Sequence, residues 1–191
     1  MLRYKYYTGV GSRQTPKEIL EMMSEVGEKL ADKGFILRTG AAQGADQAFE
    51  VGWVRHVQMN PGNWTSAEIF LPWEGFEKHT RDAMFGCNYL PDLDSPSLYQ
   101  TALAIAEDTH PNWAACSRGA KTLHTRNIYQ VLGRDLATPS NLLIAWTPLT
   151  KSGNPKGGTA TAIALAERYG VPCFNLNKPE DYARVSKFLE G

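Results

Sequence analysis

The sequence predicts an α/β protein with an open, mainly parallel sheet and helices on both of its faces. Short apolar segments alternate along the chain with segments of helical periodicity, an order that is typical of parallel sheets. Glycine-containing loops follow several of the predicted strands. The chain has 191 residues, 42 % of them hydrophobic, so it is long enough to bury one core. These observations together predict a Rossmann-like fold in a single domain over residues 1–191.

The first half of the chain contains three predicted strands and two predicted helices. Residues 4–8 form a strand that ends in a glycine-containing turn. A helix begins at Pro16, with Thr15 as its N-cap, because apolar residues then recur at helical spacing. Gly34 ends this helix at the position of a left-handed C-cap. The next predicted elements are a strand over residues 35–39, a helix from residue 45 and a strand over residues 67–72.

The middle of the chain is predicted to be an irregular insertion over about residues 73–118. Turn signals interrupt the pattern there, although residues 98–107 show helical periodicity. The remaining predicted elements are helices over residues 123–132, over residues 159–169 and after Pro179, and strands over residues 141–146 and 171–175.

The first glycine-containing loop is a candidate anion site. Gly9 and Gly11 allow a ligand to approach the backbone, and the following helix N-terminus favours negative charge. Ser12 offers a hydroxyl group, and Arg13 offers a guanidinium that suits a phosphate. Gln14 stands where a GxGxxG motif has its third glycine. A plain turn therefore remains an alternative at this loop.

The second loop joins small residues to another helix start, with Gly40 and Gly44 preceding Asp46. Asp46 is interpreted either as a partner for ribose hydroxyl groups or as a charge that stabilises the helix N-terminus. Glu50 lies one helical turn further on the same face. The two carboxylates are the candidate catalytic residues, and a solvated helix face is the alternative.

The third loop is the best supported of the three candidate phosphate sites. Lys156, Gly157, Gly158 and Thr159 lie between the most apolar strand and an alanine-rich helix, so several donors converge at one helix N-terminus. The full GxxxxGK[ST] arrangement of a magnesium-dependent P-loop is absent. On the helix before that strand, Arg126 and Asn127 are placed to reach the same ligand from the opposite side.

The amino-acid composition argues against several classes of function. Lys and Arg number 20, and Asp and Glu also number 20, a balance that is unlike that of proteins that coat nucleic acid. The three cysteines are dispersed and the four histidines form no metal-binding motif. We therefore expect no disulfide, no bound metal and no cofactor. The sequence shows no signal peptide and no stretch of about 20 apolar residues, so a cytoplasmic protein without a membrane partner is expected.

Several short motifs share one order and spacing with a known superfamily. They are YTGVGSR at residues 7–13, RTGAAQGAD at 38–46, TRN at 125–127, GGT at 157–159 and YGVP at 169–172. Together they resemble the superfamily of the DNA-processing protein DprA/Smf and the Lonely Guy proteins, abbreviated SLOG, and the stand-alone DprA-like domains in particular. The resemblance covers most of the chain except residues 73–118, and such short chains also occur in phage genomes.

The resemblance implies a Rossmann-like fold, a nucleotide or nucleotide-derived phosphate ligand at the three loops, and a homo-oligomer. It leaves three functions open. The first is a binding module in which Arg13 and Lys156 contact phosphate and Asp46 contacts ribose. The second is a nucleoside monophosphate N-glycosidase, for which Ala162 stands where Lonely Guy enzymes carry a glutamate, so that Glu50 or Asp46 would supply the carboxylate. The third is a DprA-like protein that binds single-stranded DNA.

Overall fold

A computed structural model describes residues 4–63, 65–81 and 87–191. The strands are β1 (Lys5–Gly11), β2 (Phe35–Thr39), β3 (Ala67–Phe70), β4 (Asn88–Tyr89), β5 (Leu142–Trp146) and β6 (Cys173–Asn175). The α-helices are α1 (Lys17–Asp32), α2 (Ala45–Met59), α3 (Pro91–Asp94), α4 (Pro96–Thr109), α5 (Arg118–Leu132), α6 (Gly158–Arg168) and α7 (Pro179–Glu190).

The six strands form one open sheet in the order β4-β3-β2-β1-β5-β6, and every strand pair in it is parallel. β1 lies inside the sheet, where it pairs with β2 on one side and with β5 on the other. Helices cover both faces of the sheet. The predicted α/β, Rossmann-like fold class is therefore confirmed.

Two hydrophobic clusters fill the space between the sheet and its helices. One includes apolar residues of α1, α2 and α7, among them Met23, Phe49 and Val185. The other includes residues of α4, α5 and α6, among them Ile128 and Leu165. Residues of β1 from Tyr7 to Val10 are buried without alternation, as expected for a strand that is covered on both faces.

β1 is longer than predicted, because Gly9 and Gly11 lie within the strand and not in a turn. Gly9 pairs with Ile144 and Gly11 with Trp146 of β5. A Cβ at Gly9 would lie 2.6 Å from the ring of Phe49. The glycines therefore allow α2 and β5 to approach β1 closely, which is a packing role that glycine also has in parallel sheets.

The predicted N-cap role of Thr15 is wrong. α1 begins at Lys17, and Pro16 occupies the N-cap position with extended backbone angles. The residue before a proline is biased towards an extended conformation, which keeps Thr15 out of the helix. Its hydroxyl group donates instead to the carbonyl oxygen of Ser12 at 2.7 Å and closes the loop after β1.

The described residues of the segment 73–118 are more regular than expected. They include the edge strand β4, which pairs with β3, and the helices α3 and α4. β4 has only two residues, too few for an alternating pattern to reveal it in the sequence. Among the described helices, none is long and apolar enough to cross a membrane.

α1 and α2 pack with their backbones in contact. A Cβ at Gly52 would lie 2.0 Å from the carbonyl oxygen of Ser24, and one at Gly27 would lie 2.8 Å from that of Phe49. These glycines face each other, so neither helix can carry a side chain at the crossing. The close approach fixes the start of α2, and hence Asp46, relative to the sheet.

Candidate functional site

A cavity of about 460 Å³ lies at the carboxyl ends of β1 and β5. The chain runs from β1 towards β2 on one side, whereas β5 and β6 extend the sheet on the other. Connections from these two neighbouring strands therefore diverge and leave a crevice, which is the usual position of ligands in open α/β sheets.

The structure brings together predicted residues from all three loops and from α5. Those that line the cavity are Gly11, Ser12, Arg13, Asp46, Arg126, Asn127, Lys156, Gly157, Gly158 and Thr159. Of the remaining predicted residues, Gly9 packs under Phe49, and Gly44 has a positive φ of 89° beside the backbone of Ser12 and Arg13. These two glycines shape the loops and do not line the cavity.

Gly40 supports the cavity from behind. Its carbonyl oxygen accepts a hydrogen bond from the guanidinium of Arg126, and a Cβ at this position would overlap that guanidinium. Gly40 therefore determines where Arg126 lies without lining the cavity itself.

Glu50, a candidate catalytic residue, lies outside the cavity. Its Oε2 is 2.9 Å from Nε2 of His79, and both side chains are largely buried. The hydrogen bond to Glu50 raises the pKa of His79 above its ordinary value, which favours an ion pair. This pair lines a separate groove on the outer face of α2.

Asp46 connects the first and the second of the three glycine-containing loops. Its carboxylate accepts hydrogen bonds from the amide groups of Gly11 and Gly40, each at 3.2 Å. It also lies 3.4 Å from Nη1 of Arg126 and 3.4 Å from Nε2 of Gln130. Backbone and side-chain donors thus surround both oxygens, and this arrangement suits a residue that positions loops.

Burial dominates the electrostatics of this pair. It raises the pKa of Asp46 to about 6, although the neighbouring Arg126 lowers it. Burial likewise lowers the pKa of Arg126, which Asp46 counteracts. Arg126 thus presents a largely desolvated positive charge at the base of the cavity.

The N-terminus of α6 forms one wall. The side chain of Asn127 donates to the carbonyl oxygen of Gly158 at 3.2 Å, and the hydroxyl group of Thr147 donates to that of Lys156 at 2.6 Å. In the described part of the chain, no backbone acceptor binds the amide groups of Gly158 and Thr159. Helix N-terminal amides of this kind are donors for anions.

The loop after β1 forms the opposite wall. The amide of Ser12 donates to the carbonyl oxygen of Trp146 at 2.9 Å, which ties this loop to β5. The side chain of Arg13 is 60 % exposed, and its nearest carboxylate oxygen, on Glu77, lies 3.5 Å away. Such a weak, exposed pair leaves the guanidinium able to turn towards a ligand.

α5 contributes two polar cavity residues that the sequence analysis missed. They are His124 and Gln130, which line the cavity with Asn127 on the same helix face. Each lies three positions from Asn127, a helical spacing that could have identified both. Burial lowers the pKa of His124 to about 4, helped by the nearby His110 and Arg126, so its imidazole is neutral at pH 7.

Comparison with known protein families and with curated proteins finds no match. Among solved structures, DNA processing protein A from Helicobacter pylori, which binds single-stranded DNA, is similar. The sequence identity is 12 % and the TM-score 0.36, with 98 % of this chain and 80 % of that chain covered. A similarity this distant transfers no function. The Rossmann-like fold is confirmed by the sheet itself, and membership in the SLOG superfamily stays a prediction.

Proposed function

We propose that the protein binds a nucleotide or a nucleotide-derived phosphate ligand in the cavity between β1 and β5. The observation that carries this proposal is the convergence of the α6 N-terminus with Arg13, Arg126 and Lys156 on one cavity. The phosphate would lie against the amides of Gly158 and Thr159.

The charge of the cavity supports an anionic ligand. Three cationic side chains line it, and Asp46 is the one carboxylate among the described lining residues. Since Asp46 is engaged with Arg126, the α6 amides and two cationic side chains remain for the ligand.

Binding is better supported than glycosidic hydrolysis. A hydrolase of this kind needs a carboxylate that can reach the sugar. Glu50 is held by His79 outside the cavity, the Asp46 oxygens already accept hydrogen bonds, and Ala162 occupies the wall beside the α6 N-terminus.

The first test is thermal denaturation with nucleoside mono- and diphosphates, ADP-ribose, cyclic nucleotides and a short single-stranded oligonucleotide. A ligand at a hundred times its Kd adds about 2.7 kcal/mol, which shifts Tm by several degrees. Calorimetry then gives the Kd of each ligand that shifts Tm. Stabilisation by the oligonucleotide alone would contradict the proposal and favour a DNA-binding function, and release of free base would favour the hydrolase.

Gly158→Asp should weaken nucleotide binding about a hundredfold or more, equivalent to about 2.7 kcal/mol. The carboxylate would repel a phosphate at the α6 N-terminus. The fold should persist, since the nearest atom to a Cβ at Gly158 is Cε1 of His124 at 3.9 Å. Acidic residues also suit the first turn of a helix.

Gly158→Asn is the matched control for Gly158→Asp, because it adds nearly the same volume without charge. We expect it to weaken binding clearly less. Equal affinities of wild type and Gly158→Asp, with folding verified by circular dichroism, would overturn the proposed site.

A further inference from the structure

We propose that His110, Cys116 and His124 form a binding site for a transition metal ion of the zinc class. The protein supplies three ligands and leaves one coordination position open. This site shares His124 with the lining of the proposed nucleotide cavity, but the proposal does not depend on nucleotide binding.

The three side chains converge although they are dispersed in the sequence. Their ligand atoms all lie within 4.8 Å of one another. Sγ of Cys116 is 3.8 Å from both ring nitrogens of His110, and the rings of His110 and His124 have centroids 4.3 Å apart. One thiolate and two imidazoles are a donor set that Zn²⁺ prefers.

A buried nitrogen without a partner is a second, independent observation. Nδ1 of His124 is inaccessible to solvent and forms no hydrogen bond with the described residues. A buried polar atom is rarely left unsatisfied, because its desolvation is unfavourable. A metal ion bound through Nδ1 of His124 would provide the missing partner.

The local fold brings the ligands together by a short reversal of the chain. After α4, the 3₁₀ turn Trp113–Ala115 leads to Cys116, whose amide donates to the carbonyl oxygen of Trp113 at 3.0 Å. The buried Trp113 ring packs near both imidazoles, with centroid distances of 6.2 Å to His110 and 6.4 Å to His124. An apolar wall of this kind limits access of water to one side of the site.

Metal binding requires a small contraction of the cluster. Bond lengths of about 2.0–2.3 Å place tetrahedral ligand atoms about 3.3–3.6 Å apart, so they would move together by about 1 Å. His110 and Cys116 are only partly buried and have room to rotate. If His110 binds through Nδ1, it releases the amide of the exposed Asn112, which donates to it at 3.2 Å.

Cys116 supplies the negative charge of the proposed donor set, because a cysteine binds a metal ion as its thiolate. No carboxylate takes part in the cluster. Cys116 is therefore the anionic ligand, and its loss should affect metal binding most.

A groove of about 530 Å³ adjoins the cluster, and the open coordination position would face it. His110, His124, Gly157 and Gly158 are among the residues that line it. Sites with three protein ligands leave the fourth position to water or to a bound anion. An ion held here would lie on the outer side of the α6 N-terminus, next to the nucleotide cavity that His124 also lines.

Titration of the metal-free 191-residue chain with CoCl₂, without nucleotide, tests the site directly. We expect one Co²⁺ per chain, tetrahedral visible bands and a thiolate-to-metal charge-transfer band, with Zn²⁺ displacing Co²⁺. Cys116→Ser should abolish the charge-transfer band, and His124→Ala should weaken binding about tenfold or more. Cys173→Ser is the matched control and should behave as wild type.

A second measurement needs no variant. Cys87 is buried and burial raises the pKa of Cys173 to about 12, so alkylation by iodoacetamide should modify Cys116 first. One equivalent of Zn²⁺ should slow this modification about tenfold. Unchanged alkylation of Cys116 with Zn²⁺, or a charge-transfer band that persists in Cys116→Ser, would overturn the proposal.

Discussion

The carboxylate of Asp46 holds the ends of two strands and a buried arginine at the same point. It accepts hydrogen bonds from the amides at Gly11 and Gly40 and pairs with Arg126. Loss of water around it is nevertheless the largest influence on its ionisation. Asp46 therefore organises the site at the expense of stability when it is ionised.

This balance predicts a pH dependence. The folded-state pKa of Asp46 is about 6, whereas an unfolded aspartate has a pKa of about 3.9. Between these two pH values, the folded state therefore binds more protons than the unfolded state. The free energy of unfolding should therefore fall as the pH rises through this window. At about 1.4 kcal/mol per unit of pKa difference, the free energy of unfolding of wild type should fall by roughly 2 kcal/mol relative to that of Asp46→Asn between pH 4 and 7.

Urea denaturation of both proteins at several pH values measures this difference. Asp135→Asn is a control of opposite sign. Partial burial raises the pKa of Asp135, but hydrogen bonds from Thr138 and Ala137 outweigh this effect and lower it. The contribution of ionised Asp135 to the free energy of unfolding should thus be lost as the pH falls below about 4. A difference between wild type and Asp46→Asn that stays constant with pH would contradict the assignment.

Sequence reasoning identified residues better than it identified their roles. Asp46 and Lys156 were predicted from their places at glycine-containing loops and Arg126 from its place on the helix before β5, and all three line one cavity. The orientation of Glu50 towards His79 depends on residues 29 positions apart, which no local pattern contains. The cluster of His110, Cys116 and His124 was missed for a related reason, since its spacing matches no metal-binding motif.

At the scale of elements, the crossing of α1 and α2 permits a sharp test. Gly52→Ala should lower the free energy of unfolding by about 1–3 kcal/mol, because its Cβ would meet the backbone oxygen of Ser24. Gly119→Ala, on α5, is the control. No atom lies within 4 Å of a Cβ there, so stability should rise by about 0.5–1 kcal/mol.

Chemical denaturation of both variants gives the comparison. If Gly52→Ala is as stable as wild type, the two helix backbones are not in contact. Because the crossing also sets the position of α2, we expect Gly52→Ala to weaken nucleotide binding as well.

The elements that the sequence predicted best are those with a complete local pattern. β2 has the predicted bounds, and Gly34 has the predicted positive φ of 76° after α1. The extension of β1 to Gly11 could not be predicted, because glycine has no strand preference and the pairing with β5 is distant in sequence. β4 was missed because two residues carry no periodicity.

At the scale of the whole molecule, balanced charge predicts how binding responds to salt. With 20 basic and 20 acidic residues, the chain has no excess charge to attract a polyanion. A ligand with one or two phosphate contacts should lose at most about tenfold in affinity between 50 and 200 mM salt, whereas tracking a DNA strand with six to ten contacts would lose about 10³–10⁵-fold.

Isothermal titration at several salt concentrations measures this slope for the tightest nucleotide and for an oligonucleotide. A steep slope for the nucleotide would indicate that charges far from the cavity take part. The homo-oligomer implied by the family resemblance stays a prediction, which light scattering of the purified protein can address.

The place of β1 inside the sheet determines when the protein can acquire its ligand site during synthesis. On one edge of β1, Lys5 pairs with Phe35 of β2, which is synthesised soon afterwards. On the other edge, Tyr7 pairs with Leu142 of β5, which is synthesised much later. At about 5–20 residues per second, the ribosome needs on the order of ten seconds to supply that partner. Until then, the edge of β1 that later pairs with β5 is unpaired, and other chains can add to it. Ligand binding is consequently a late property of the growing chain, and a ligand can protect only those molecules whose translation has passed β5 and α6.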